Sequence, residues 1–83
     1  MASILYFSTT TCGPCNMFKP VVQQVSAETG KHVQYIDAQH NSELAAKYGV
    51  SSVPTIVIET GHDVVKLIGA QPKAKLIDLF SKC

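Results

Sequence analysis

Residues 9–20, "TTTCGPCNMFKP", place Cys12 and Cys15 on either side of Gly13 and Pro14, where a strand-like apolar run gives way to helical periodicity. Two thiols so close on a turn admit three chemistries: a structural disulfide, half of a metal site, or a working dithiol. A disulfide closing so short a loop constrains the unfolded chain little. A structural metal needs about four ligands, and the chain adds only Cys83 and the scattered His32, His40 and His62, at no recognised spacing. The working dithiol is the best fit.

Outward from that turn, the neighbouring segments read clearly. Ile4 to Phe7 form a short continuous apolar run, the pattern of a central strand covered on both faces. After Cys15, the residues Phe18, Val21, Val22 and Val25 recur at helical spacing, and Gly30 supplies a stop. Pro20 lies inside that helix and predicts a kink. A second strand is expected over His32 to Asp37, then a short helix capped by Asn41, carrying Leu44 and Tyr48 and ended by Gly49. Thr55–Glu59 and Val64–Ile68 are β-branched runs either side of "TGHD" and read as a hairpin. Pro72 opens a last helix at a first position, where its missing N–H costs nothing, with Leu76, Ile77, Leu79 and Phe80 as the buried side. The order is βαβαββα. A right-handed crossover makes the first two strands parallel, the hairpin adds an antiparallel pair, and helices cover both faces of an α/β sheet.

Eighty-three residues, 46% of them apolar, suffice for one compact domain spanning 1–83 and not for two. A net charge of +1 lacks the field expected of a protein that grips nucleic acid or an acidic membrane. The amino terminus has no basic n-region, and Ile4–Phe7 is too short for a signal core or a membrane span, so the chain reads as cytoplasmic. Three cysteines, an odd number, make a poor secreted scaffold; one Cys-x-x-Cys in a reducing compartment suggests redox or metal chemistry.

The turn "CGPC", Pro20 five residues after Cys15, "VPT" (53–55) opening the third strand and Gly69 after the fourth together resemble the thioredoxin family. The resemblance covers nearly the whole chain, at a compact, glutaredoxin-like size without an additional leading strand and helix. It implies a minimal thioredoxin fold with strand order 2-1-3-4. It also implies a thiol–disulfide oxidoreductase that reduces protein disulfides through a mixed disulfide, as a monomer with no bound cofactor or metal. Electrons would come from an NADPH-dependent thioredoxin reductase. Pro54 resembles the family's cis-proline, which faces the dithiol and leaves the backbone of Val53 to pair with an extended substrate. Gly69 would let a target backbone approach, and Thr11 would border the docking surface. The bland alternatives are an edge-strand proline and an ordinary loop glycine.

The residues support the same chemistry. Cys12 falls at a helix amino end, where unpaired N–H groups and the positive dipole end stabilise a thiolate, so Cys12 is the expected nucleophile. Cys15, one turn deeper, is the expected resolving thiol. Pro14 has no N–H to donate and Gly13 keeps the turn open, so stabilisation should be moderate, as suits a reductant. The chain departs from the family pattern in three places. Thr11 stands where a tryptophan is usual, Tyr6 where a buried aspartate is usual, and Val33 or a neighbour where that acid's lysine is usual. Tyrosine is a poor base near neutrality, which leaves the proton acceptor for Cys15 open. His40, at the dithiol's end of the sheet, is a candidate to affect Cys12, but a solvated loop histidine is the favoured reading. Lys73, Lys75 and Lys82 read as a solvated helix face and Cys83 as a passive terminal thiol.

Two rivals remain at the level of sequence. A glutaredoxin-type protein recharged by glutathione would carry Gly-Gly and an acidic pair after the fourth strand, where this chain has "IGAQPKAK" (68–75). A binding module on the same fold would keep its partners after loss of both thiols.

Overall fold

The computed structural model describes residues 3–82. Strand β1 (Ser3–Ser8) buries Ile4, Leu5, Tyr6 and Phe7 in succession. Side chains alternate across a strand, so Ile4 and Tyr6 enter one apolar cluster while Leu5 and Phe7 enter another on the opposite face. The helix α1 (Gly13–Thr29) buries Cys15, Phe18, Val22 and Val25 along one stripe. It ends at Gly30, whose left-handed φ of 68° suits glycine, with its N–H donated to the Ser26 carbonyl. The helix is unbroken through Pro20, which lies on the exposed side.

Strand β2 (Val33–Asp37) starts one residue later than expected, because its ladder with β1 begins at the Ile4–Val33 pair and leaves His32 outside. Helix α2 (Ser42–Lys47) follows Asn41, but the expected side-chain cap is absent: the Asn41 amide instead donates to the Asp37 carbonyl at 3.0 Å. Strands β3 (Thr55–Glu59) and β4 (Val64–Ile68) form the expected hairpin, closed where Thr60 N–H donates to the Asp63 carbonyl at 2.8 Å. Helix α3 (Lys73–Ser81) takes Pro72 as its N-cap rather than its first residue. It buries Leu76 and Phe80, with Ile77 and Leu79 half-buried against the same cluster. Lys73 is not simply solvated: its ammonium pairs with Glu28 at 3.1 Å and ties α3 to α1.

The sheet has the order β2-β1-β3-β4, with β1 parallel to β2 and antiparallel to β3, and β3 antiparallel to β4. Helices α1 and α3 cover the face that carries Tyr6, Ile56 and Ile58; α2 covers the face of Phe7 and Val57. No helix among the described residues is long and apolar enough to cross a membrane.

Candidate redox site

The turn after β1 is tied by Cys12 N–H donating to the Thr9 carbonyl at 3.3 Å. Cys12 is the N-cap of α1 in extended backbone (φ −86°, ψ 109°), and Pro14 occupies the first helical turn, where a missing N–H leaves nothing unsatisfied. Cys12 and Cys15 are joined by a disulfide, with Cα atoms 5.2 Å apart. Cys15 N–H donates to Cys12 Sγ at 3.1 Å, so a charge on that sulfur would meet an oriented donor at the positive end of the helix. The two sulfurs are not equivalent. Cys15 is 2% exposed, whereas Cys12 is partly open to solvent. A Cβ at Gly13 would meet nothing within 4 Å, so packing alone does not demand glycine there.

The loop before β3 faces this pair. The Val53–Pro54 peptide is cis, and the Val53 carbonyl oxygen lies 3.9 Å from Cys12 Sγ. Gly69 donates its N–H to the Pro54 carbonyl at 2.8 Å with φ of 82°, a conformation that a side chain would strain. Cys12, Cys15, Val53, Pro54 and Gly69 therefore converge. Thr11 sits exposed on the same turn as Cys12. Beyond Val53 lies a pocket of about 360 Å³ with Ala38, Ala45 and Val50 among its apolar lining and Thr9 and Gln39 among its polar lining.

The family model for thioredoxin matches residues 1–82. The chain belongs to the thioredoxin family. A curated thioredoxin from Staphylococcus aureus is 39% identical over 79 residues, which span 92% of this chain and 76% of that protein. A solved point mutant of thioredoxin from Halobacterium salinarum NRC-1 superposes with a TM-score of 0.88 at 35% identity, covering 98% of this chain and 73% of its own. Thioredoxin from Fasciola hepatica superposes at 0.84 with 29% identity, covering 98% and 79%. With its cysteine pair in disulfide geometry, this thioredoxin-family chain is a thiol–disulfide oxidoreductase, a reductase of protein disulfides.

Its departure from the usual thioredoxin pattern is structural as well as chemical. Tyr6 is fully buried, and its hydroxyl donates to the Cys15 carbonyl oxygen at 2.9 Å. Its ring meets Phe18 at 6.0 Å and Tyr35 edge-on at 5.8 Å between centroids. Burial, and secondarily the nearby Tyr35 hydroxyl, push its pKa up to about 12. Tyr6 thus braces the Cys15 turn and takes no proton near neutrality. A raised folded-state value means that the stabilisation is complete below the ordinary pKa near 10 and is lost as pH climbs toward 12. We expect wild type to lose about 2–3 kcal/mol of stability over that interval through this group. Urea melts on either side of the window should show a smaller loss for Tyr6→Phe, with a residual slope because Tyr35 is also raised by burial.

His40 does not reach the dithiol: its Nδ1 contacts Asp37 Oδ2 at 2.7 Å on an exposed surface. That ring, and then the Gln39 N–H, hold the Asp37 carboxyl below its usual range. His32 and His62 are exposed in loops, and Lys82 pairs with Asp78 at 3.2 Å while Lys75 is exposed. Cys83 lies outside the described residues. Among the described residues no group of three or more His, Cys, Asp or Glu is placed to hold a metal ion. Sequence reasoning did not single out Lys19, Tyr35 and Asp37, which share a pocket with Cys15. Two signals were present: Lys19 stands four residues after Cys15 on a helix, and Tyr35 is the residue opposite Tyr6 in the parallel ladder.

Proposed function

We propose that Cys12 is the attacking thiolate and Cys15 the resolving thiol, and that this reductase draws its electrons from an NADPH-dependent thioredoxin reductase. The observation that carries the assignment is the asymmetry of the pair: Cys12 is partly open at the helix N-cap with an N–H aimed at its sulfur, while Cys15 is buried beneath it. Reduced Cys12 attacks one sulfur of a target disulfide, forming a Cys12–target disulfide and releasing the other target sulfur as a thiolate that takes up a proton. Cys15 then attacks Cys12 Sγ, the target leaves as its second thiol, and two electrons have passed to it.

In this reading the target segment lies extended against the backbone of Val53, beside Pro54 and Gly69, in the manner of an added strand. Ile68, 61% exposed and paired in register with Thr55, offers apolar contact at the same end of the sheet, and Met17, 81% exposed, offers it on α1. Thr11 adds a small polar rim. The partners are disulfide-bearing proteins and the reductase, with no role for nucleic acid or membrane; the protein acts as a cytoplasmic monomer. No cofactor is bound in this scheme.

Glutathione is the less favoured donor, because the segment after β4 offers Gly69, Gln71, Lys73 and Lys75 rather than paired glycines and acids, and the Gln71 amide is already bonded to the Ile68 carbonyl at 3.0 Å. The test is turnover of a generic protein disulfide in two parallel assays. Rapid reduction is expected with thioredoxin reductase and NADPH. Faster turnover with glutathione and its reductase would reverse the assignment of the donor.

A further inference from the structure

A pocket of about 240 Å³ opens beside the dithiol, lined by Thr9, Cys15, Asn16, Lys19, Tyr35 and Asp37 among others. Cys15 is 2% exposed and is one of the residues that line this pocket. Lys19 follows Cys15 by four residues on α1, and residues at that spacing share a helix face. Its ammonium sits 5.3 Å above the centroid of the Tyr35 ring, and that ring is itself held edge-on by Tyr6. Lys19 has no ion-pair partner among the described residues. We propose that Lys19, seated on Tyr35, is the positioning residue for resolution: its charge, acting across this pocket, favours the thiolate of Cys15.

The proposal rests on the assignment of Cys15 as the resolving thiol. It supplies what Tyr6 does not. In the resolving step the Cys15 Sγ–H proton passes to water in the pocket. The Cys15 Sγ–Cys12 Sγ bond then forms as the Cys12 Sγ–target bond breaks, and the departing target thiolate takes a proton from water. Every charged or titratable group facing the pocket can be given a sign. Lys19 on α1 favours the thiolate. Asp37 on β2 opposes it, but its carboxylate is engaged by the Gln39 N–H at 2.9 Å and by the His40 ring at 2.7 Å. Tyr35 on β2 is neutral through the working range, as is Tyr6, which packs against Tyr35 from β1, both being raised by burial, and Cys12 carries no charge in the mixed disulfide. Lys19 is thus the charge least compensated by a partner.

The experiment is a single turnover on a protein disulfide, quenched by alkylation and read by mass spectrometry, for wild type, Lys19→Met and Lys19→Arg. Lys19 is exposed on α1, so both variants keep the buried stripe. Loss of the charge should move the titration of Cys15 up by about one pH unit, leaving about one-tenth of the thiolate near neutrality. The more basic thiolate regains about threefold in nucleophilicity, since the Brønsted slope is about 0.4–0.5. Target release from Lys19→Met should therefore be about threefold slower near neutrality and about threefold faster above the raised pKa, so the two profiles cross. Lys19→Arg should follow wild type. Parallel, uncrossed profiles, or an arginine variant that behaves like the methionine one, would overturn the proposal while the mixed disulfide on Cys12 still upheld the roles of the thiols. A mixed disulfide found on Cys15 would instead overturn those roles.

Discussion

Cys12→Ser is expected to bring disulfide reduction down to the uncatalysed background, whereas Cys15→Ser is expected to attack a target once and stay joined to it. The difference follows from position. Cys12 is the partly exposed N-cap sulfur, with the Cys15 N–H at 3.1 Å and the positive end of α1 behind it, and a serine there offers no nucleophile of comparable strength near neutrality. Cys15 is 2% exposed and cannot meet a folded protein's disulfide; its one reachable electrophile is Cys12. In the proposed assignment, removing it deletes the second half of the exchange and leaves the first intact. Non-reducing gels should therefore show an adduct with Cys15→Ser and none with Cys12→Ser. Adducts of equal yield from both variants, or trapping by Cys12→Ser alone, would mean that burial in the oxidised form does not set the order of attack.

Most of this architecture was legible along the chain. The continuous run Ile4–Phe7 announced a strand buried on both faces, and Thr55–Glu59 and Val64–Ile68 formed with the bounds that their β-branched patterns suggested. In such segments local propensity and burial agree. Where they did not, tertiary contacts decided. Asn41 suits an N-cap, but the Asp37 carbonyl lies within its reach and takes its amide. Lys73 suits a solvated face until α3 packs on α1 and brings Glu28 beside it. The dithiol was legible because both cysteines lie on one turn. The pocket on its flank was not, because Tyr35 and Asp37 belong to β2 and come beside Cys15 and Lys19 of α1 only through the parallel pairing of β1 with β2.

Tyr6→Asp should carry the largest cost to stability and, if the resolving step lacks an internal base, should speed that step. Tyr6 is 0% exposed and packs against Phe18 and Tyr35. Losing a buried ring of this size costs about 3–5 kcal/mol. The Cys15 carbonyl also loses its donor, and a carboxyl enters a dry site. A total of about 4–6 kcal/mol would consume much of the stability of a small domain. The sign with pH is fixed: burial raises the pKa of the new carboxyl above its unfolded value, so the penalty is least below about pH 4 and grows as pH rises through the folded value. Tyr6→Phe separates the contributions, costing about 1–2 kcal/mol and leaving the resolving rate unchanged. An aspartate is shorter than the tyrosine it replaces, so its proton traffic with Cys15 runs through water admitted to the vacated space. With a pKa lifted toward neutrality it becomes a base of useful strength, the condition for general-base catalysis. Stopped-flow release of target from the Cys12 mixed disulfide, followed across pH under conditions where the variant remains folded, should be faster for Tyr6→Asp than for wild type near neutrality. Unchanged or slower release would mean that the pocket bearing Lys19 already removes the Cys15 proton as fast as the disulfide can rearrange.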